Sequence, residues 1–337
     1  MSNGISAAGF FTGNTALITA SENQITTLTQ ELNSNTKSIS LQGYGSSAPT
    51  ILNLTDSVSE TQGFINTSTQ VNTNLTAYDT TLNQLTSDAN QLNTALTQVS
   101  PTNPTAIPTL QALINGLQTD VGATLNTQIG NSFLYSGTRF NTQPVVDLTQ
   151  LAPPAVPTPF TPVVPNNVAL PSPPNPPGTF NSPLPTYDTQ SPAVDPNNQA
   201  YATQTLNVSP TSTVTFGITS NNPSIQALVY ALSEAQAGAN ATGATQTQFF
   251  ANATSALQTA ITGIQALQAQ NDNNEVVIKS QQSVQNLTID NLQNQLGNLQ
   301  DVDAATVATQ LTNVENQLND SFKATASIIN LSILQDL

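Results

Sequence analysis

Few side chains of this sequence could carry out chemistry, and their types exclude most catalytic and metal sites. The chain contains no histidine and no cysteine, so the usual general base, the commonest metal ligand, the thiol nucleophile and the disulfide are all absent. The carboxylate pair Asp301 and Asp303 provides too few ligands for a hard cation, which needs six or more oxygens. Helix capping is the better interpretation of this pair.

A second acidic stretch, NDNNE at 271–275, has part of the pattern of a calcium loop. It lacks the glycine and the later bidentate glutamate of such loops. We therefore interpret it as a polar patch or a helix break, and we predict no catalytic residue, no metal ligand and no cofactor.

The only arginine, Arg139, lies in the stretch GNSFLYSGTRF at 130–140. A guanidinium can stack on Tyr135 or Phe140, or it can pair with a carboxylate. No nucleophile or base accompanies it. Tyr135 and Arg139 are therefore predicted to contact a neighbouring subunit, and an exposed turn residue is the open alternative for Arg139.

The charge balance excludes several classes of partner. The chain carries 19 acidic and 4 basic residues, a formal charge of −15. Binding to nucleic acid or to anionic membranes requires clustered Lys and Arg, so neither partner is expected. No apolar run is long enough for a transmembrane helix, and the N-terminus predicts no conventional cleaved signal peptide.

Proline divides the sequence into regions of different structure. Sixteen of the 22 prolines lie between Pro144 and Pro196, where they exclude helix and favour polyproline II or coil. On either side, alternation over 132–136 predicts a strand, and the stretches AYATQTLNV and STVTFGI predict a hairpin. The long stretches outside this region contain little proline and are predicted to be helical.

Apolar residues repeat with alternating steps of 4 and 3 over four heptads, which is typical of a coiled coil. This heptad seam consists of Val71, Leu75, Tyr78, Leu82, Leu85, Ala89, Leu92, Leu96 and Val99. No isolated helix could keep such a stripe in water, so a partner helix is required. The proline-free C-terminal region after Pro223 supplies the candidates.

Both ends of the chain also carry apolar helical stripes. The N-terminal stripe consists of Leu17, Ile25, Leu28 and Leu32, and the C-terminal one of Val307, Leu311, Val314, Leu318, Phe322, Ile329, Ile333 and Leu337. Chain ends are usually polar and frayed. A stripe that continues to the last residue indicates that this end becomes buried, so these residues are predicted to form an assembly interface.

These patterns predict a mainly α fold, an elongated antiparallel coiled-coil rod with small β-hairpins and a proline-rich insert. Five segments are expected: an N-terminal helical segment, the first half of the rod, the proline-rich insert with its hairpin, the second half of the rod and a terminal helix. Their predicted bounds are 1–45, 46–145, 146–220, 221–298 and 299–337.

Three stretches carry a resemblance to a known family. They are GNSFLYSGTRFNTQPV at 130–145, VTFGITSNNPSIQALVYAL at 214–232 and the tail DVDAATVATQLTNVENQLNDSFKATASIINLSILQDL. Their order and spacing resemble the bacterial flagellin superfamily, which comprises flagellin and hook-associated protein 3, the hook–filament junction type. The resemblance covers 105–145 and 201–337 well and the proline-rich insert not at all. The stretch KSISLQGYGSSAPTILNLTDSVS departs from the family's arginine-bearing pattern.

The resemblance implies a structural subunit of the flagellum and not an enzyme. Its terminal segments would be D0-like and its rod D1-like. The terminal helices would order on joining the polymer. The implied partners are other copies of the chain and other axial proteins, with an export chaperone at the C-terminal helix. The implied location is extracellular, after export by the flagellar type III apparatus. The alternative is a non-flagellar secreted surface adhesin with a helical stalk and a Pro/Thr-rich head.

Overall fold

The computed structural model describes residues 7–99, 106–138, 140–141, 143–145, 147–151, 153–161 and 202–335. The α-helices are α1 Ala7–Ser34, α2 Ala48–Gln98, α3 Ala106–Leu125, α4 Pro223–Asn240, α5 Gly243–Gln300 and α6 Ala304–Gln335. The strands are β1 Gln128–Ile129, β2 Ser132–Phe133, β3 Gln204–Ser209 and β4 Ser212–Phe216. Short 3-10 helices cover Leu41–Ser47 and Leu148–Gln150. The predicted mainly α fold with small hairpins is confirmed.

The chain divides into two compact units. One unit joins Met1–Gly63 to Gln285–Leu337, and the other is the continuous stretch Phe64–Val284. The first unit therefore brings both ends of the chain together. The second contains the heptad seam and both hairpins.

The heptad seam forms the core of the second unit. Eight of its nine residues are buried, and the ninth, Val99, packs partly buried against the same core. The partner helix is α5, which runs antiparallel to α2. Asn271 Nδ2 donates to the Leu75 carbonyl at 2.8 Å, and Gln268 Nε2 donates to Asn83 Oδ1 at 2.8 Å. The sequence prediction that the C-terminal region supplies the partner is thus confirmed.

Helices α3 and α4 complete this core. Asn222 caps α4 by accepting a hydrogen bond from the Ser224 amide, and Pro223 occupies the first turn, where its missing amide hydrogen costs nothing. Nearly every residue of α4 is buried, so it is a central helix. Gln118 on α3 donates from Nε2 to Gln236 Oε1 on α4 at 3.1 Å.

The hairpin β3–β4 packs on the start of the seam. Its strands are antiparallel, with Leu206 opposite Val214. The inner side chains Val208, Val214 and Phe216 form a buried cluster with Val71, Leu75 and Ile278. The alternating pattern of the sequence therefore places one face of this hairpin on the α2–α5 pair.

Two local predictions differ from the structure. Of the two interpretations of 271–275, the helix break is wrong, because α5 continues through these residues and buries Asn271 against α2. The strand predicted over 132–136 is limited to Ser132–Phe133. After it the chain turns, because the Tyr78 hydroxyl donates to the Leu134 carbonyl at 2.5 Å and holds this loop against α2.

A charge placed in the seam tests its contribution to stability. Leu85 is fully buried, so Leu85→Asp should lower the free energy of unfolding by about 3–5 kcal/mol, the range measured when a buried charge is left uncompensated. Asn90→Asp adds the same charge at an exposed position of α2 and should change little. Thermal unfolding followed by circular dichroism measures both, and equal midpoints for the two variants would contradict a buried seam.

One carboxylate already lies inside this core. Asp88 on α2 is 1% exposed, and it accepts a hydrogen bond from Gln84 Nε2 at 2.8 Å. Its other oxygen, Oδ2, has no hydrogen-bond partner within the described ranges. Burial raises the pKa of Asp88 above its usual value, against the lowering effect of the Gln84 bond.

This raised pKa makes stability depend on pH. The folded state binds the proton of Asp88 more tightly than the unfolded chain does, so its unfolding free energy falls as pH rises through the folded pKa. Asp88→Asn removes the charge and should stabilise the protein at pH 7 by about 1 kcal/mol, with the gain disappearing towards pH 4. Urea titrations at both pH values measure it, and a pH-independent difference would count against this explanation.

Candidate functional site

The two ends of the chain form an antiparallel helix pair, α1 with α6. Leu28 on α1 is buried in a cluster with Val307 and Val314 on α6. Towards the other end of the pair, Asn14 Nδ2 donates to the Ser321 carbonyl at 2.9 Å and also to Thr325 Oγ1. A small apolar centre and a buried amide therefore set the register of this pair.

A set of backbone bonds joins the base of the pair. The Lys37 amide donates to the Gln300 carbonyl at 2.7 Å, and the Val302 amide donates to the Asn35 carbonyl at 3.3 Å. Asn35 has a positive φ of 55°, which Asn adopts more readily than most residues. The chain can therefore leave α1 and pair at once with the residues that connect α5 to α6.

Two charged side chains cap the helices at this base. Lys37 Nζ donates to the carbonyls of Leu299 at 2.9 Å and Asn298 at 3.3 Å, where the C-terminal end of α5 favours a cation. Asp303 accepts hydrogen bonds from the Ala305 amide and the Thr306 hydroxyl at the start of α6, and these bonds lower its pKa. The predicted capping role is confirmed for Asp303. Asp301 instead forms a β-bridge with Thr36.

The residues predicted for assembly fall into three groups. Leu28, Val307 and Val314 are buried within the pair, and Ile25, Leu311 and Leu318 are partly buried. Four others are exposed: Leu17 at 51%, Leu32 at 36%, Phe322 at 48% and Ile329 at 43%. Helix α6 includes Ile333, whose side chain is outside the described part, and Leu337 lies beyond the described residues. Of the ten described stripe residues, the pair thus buries three, partly covers three and leaves four large apolar side chains exposed.

The predicted contact of Tyr135 and Arg139 with a neighbouring subunit can be compared with the structure only at Tyr135. Tyr135 is fully buried; its ring meets the Tyr78 ring edge-on at 5.3 Å, and its hydroxyl lies 2.7 Å from Thr81 Oγ1. Tyr135 therefore packs inside this chain, where a neighbouring subunit could not reach it, because the turn after β2 folds it onto α2. Arg139 lies outside the described residues.

Within the described ranges, no group of three or more acidic side chains is arranged to hold a metal ion. The ion pairs found there are local ones, Lys279 with Glu275 at 2.6 Å and Lys323 with Asp320 at 3.3 Å. None of the described helices has the length and apolar character needed to cross a membrane.

Sequence reasoning missed two residues that shape this site. Asn14 falls in step with the N-terminal stripe, three residues before Leu17 and fourteen before Leu28, but it was not counted because its side chain is polar. Lys37 follows the end of α1, and nothing local predicts that its partners lie in α5. A buried amide at a seam position is a known device for setting helix register, so the spacing of Asn14 was a usable signal.

Comparison with known proteins finds a structural likeness without sequence support. No protein-family model matches the chain, and no curated protein matches it. Among solved structures, one titled "putative flagellar hook-associated protein" from Vibrio parahaemolyticus superimposes with a TM-score of 0.53 at 10% sequence identity. The match covers 77% of this chain and 100% of that chain. At this identity the likeness shows a shared fold.

The small centre of the helix pair predicts rapid local opening. Amide protons of α1 and α6 should exchange faster than those of α2 around Leu82–Leu92 by roughly a hundredfold or more, because a helix that buries little apolar surface opens at a lower cost in free energy. Hydrogen exchange followed by mass spectrometry on dilute protein measures this difference. Protection of α1 and α6 equal to that of α2 would show that the pair is stable by itself.

Proposed function

We propose that this protein is a non-catalytic structural subunit of the bacterial flagellum that joins the axial structure through its terminal helices. The observation that carries the proposal is the fold shared with the structure titled "putative flagellar hook-associated protein" over the whole length of that chain. The resemblance of three stretches of the sequence to the flagellin superfamily agrees with it. The role within the axis is either that of flagellin or that of the hook–filament junction type.

The terminal helix pair supplies the surface for such assembly. Phe322 and Ile329 lie two turns apart on α6 and are both about half exposed. Burying a large apolar side chain contributes about 1.5–3 kcal/mol, so two of them in each subunit can drive association. The chain has a formal charge of −15, yet α6 carries only Glu315, Asp320 and Lys323 among its described residues. A second copy can therefore approach this helix with little repulsion.

Location and partners follow from the same proposal. The subunit would act outside the cell, after export by the flagellar type III apparatus. Its partners would be further copies of itself and other axial proteins, with a chaperone on the C-terminal helix before export. The proline-rich insert would lie on the outside of the polymer.

Two substitutions on α6 test the assembly surface. The double variant Phe322→Ser with Ile329→Ser should raise the protein concentration needed for polymerisation by about tenfold or more, since each 1.4 kcal/mol corresponds to a factor of ten. Sedimentation and negative-stain electron microscopy measure polymer formation. The matched control is Gln310→Ser with Gln317→Ser, which changes two exposed polar positions of the same helix.

The outcomes separate the proposed roles from the alternative. Long homopolymers of the parent that are lost in the apolar variant support the filament role. Binding to preformed flagellin or hook polymers, lost in the same variant, supports the junction role. If the parent does neither, or if both variants behave like the parent, the flagellar proposal fails and the adhesin alternative is favoured.

A further inference from the structure

A groove of about 400 Å³ opens on the second unit, between α2 and the two hairpins β1–β2 and β3–β4. Its volume is within the range of binding sites in proteins, roughly 300–1,000 Å³. Phe133, Phe140 and Leu206 supply part of its apolar lining, and Phe140 is 42% exposed. None of the described residues that line the groove carries a charge. The groove is therefore suited to an uncharged, apolar occupant.

Hydrogen bonds fix the strands that border the groove. The Phe133 amide donates to the Phe140 carbonyl at 2.8 Å, which holds the backbones of the two aromatic residues side by side. Gln204 Nε2 on β3 donates to the Gly137 carbonyl at 3.4 Å and so ties β3 to the turn that follows β2. The walls are thus in place before a partner arrives, and little ordering is needed on binding.

Two amide side chains on α2 border the same groove. Gln70 and Asn74 are one helical turn apart, about 6 Å along the axis. Neither side chain has a hydrogen-bond partner in the part of the chain that the structure describes. In an extended peptide, the groups that point to one side repeat every second residue, about 6.5 Å apart. The two amides are therefore spaced to bond the backbone of an extended segment that lies along α2.

The first unit exposes such a segment in the connection between α1 and α2. Ile39 is 73% exposed and Leu41 is 47% exposed. Ser40 lies between them with extended backbone angles, φ −130° and ψ 147°, so the two apolar side chains point to the same side. Because these side chains and the groove are both open to solvent in a single copy, they do not cover each other within one chain.

The loop 38–44, which contains this segment, is closed by its own hydrogen bonds. The Tyr44 hydroxyl donates to the Ser38 carbonyl at 2.6 Å, and the Gly43 amide donates to the Ser40 carbonyl at 3.1 Å. Gly43 is required here, because a Cβ at this position would lie 2.1 Å from Ser38 Oγ. The loop therefore presents its two apolar side chains in a fixed geometry.

We propose that the groove of one copy receives the loop 38–44 of a second copy of the chain. Ile39 and Leu41 would pack against the aromatic lining, and the amides of Gln70 and Asn74 would bond the backbone of the loop. The loop, SISLQGY, contains no charged residue. In a chain with a formal charge of −15, two uncharged surfaces are where copies approach with the least repulsion.

The loop and the groove are different surfaces, so each copy can offer a loop to one neighbour and a groove to another. Such a head-to-tail contact repeats along an open polymer unless it closes into a ring. The inference rests on the self-association proposed above, and it adds a contact separate from the exposed side chains of α6. It also gives a role to the stretch that departs from the family's arginine-bearing pattern, because that stretch contains the loop.

Cross-linking between two distinguishable copies tests this contact. The chain has no cysteine, so Gln42→Cys in the loop and Thr73→Cys at the border of the groove each give one reactive site. The two variants, one of them isotope-labelled, are mixed and treated with a short bismaleimide, and intact mass identifies the mixed dimer. We expect severalfold more mixed dimer than from Gln42→Cys with Asn90→Cys, an exposed position of α2 outside the groove.

Changes in the loop check that its apolar side chains make the contact. Adding Ile39→Ser and Leu41→Ser to Gln42→Cys should lower the yield of mixed dimer by about tenfold or more, because two large apolar side chains are no longer buried. Ser40→Ala changes the residue that points to the other side and should leave the yield unchanged. All these positions are exposed, so circular dichroism should show the helical content of the parent in each variant.

The outcomes separate this contact from the proposed function. Mixed dimer no more abundant than in the Asn90→Cys control overturns the contact, while polymers of the parent would still support the flagellar role. Mixed dimer from a parent that neither polymerises nor binds flagellin or hook polymers supports the contact and contradicts that role. If a chain with both Gln42→Cys and Thr73→Cys links only within itself, the loop reaches its own groove and the second copy is overturned as the occupant.

Discussion

The burial of one apolar stripe on α2 is the constraint on which the second unit depends. Each large side chain of the seam contributes about 1.5–3 kcal/mol when it leaves water, and eight seam residues are buried. This requirement brings α5 alongside, and it gives the hairpin β3–β4 an apolar surface to cover. Tyr78, a member of the seam, also donates to the Leu134 and Ile218 carbonyls and so fixes two connecting segments.

Because only 7% of residues are charged, other polar groups must provide solubility and specificity. Along α2, the hydroxyls of Thr69, Thr73 and Thr76 donate to the carbonyls four residues earlier, so they are satisfied without a partner helix. Amide side chains connect helices instead: Asn271 and Gln268 join α5 to α2, and Asn14 joins α1 to α6. Such bonds need specific geometry, and they set helix register where ion pairs are scarce.

The features that the sequence could predict are those that depend on spacing. Apolar residues at steps of 3 and 4 predicted the seam of α2, and alternating apolar residues predicted β3 and β4. Each spacing indicates which face of an element is buried. The residues it could not predict act across long separations in the chain. Nothing near Lys37 indicates the carbonyls of Asn298 and Leu299, and nothing near Tyr135 indicates Thr81. The helix break considered for residues 271–275 was wrong, because a polar run can continue a helix when its side chains are bonded. Here Asn271 donates a hydrogen bond to a backbone carbonyl of α2.

The uneven distribution of apolar burial between the two units agrees with the proposed assembly through the chain ends. The core around the seam unites four helices and the loops between them, whereas the α1–α6 pair has a centre of only three buried apolar side chains. Fixing a residue in a helix costs about 1–2 kcal/mol of conformational entropy. With so small an apolar centre, the free energy of folding of the α1–α6 pair is therefore close to zero. The exposed Phe322 and Ile329 are then available surface that a neighbour can cover. In the proposed assembly such a pair would gain stability from neighbouring subunits, and this would couple folding of the chain ends to joining the polymer.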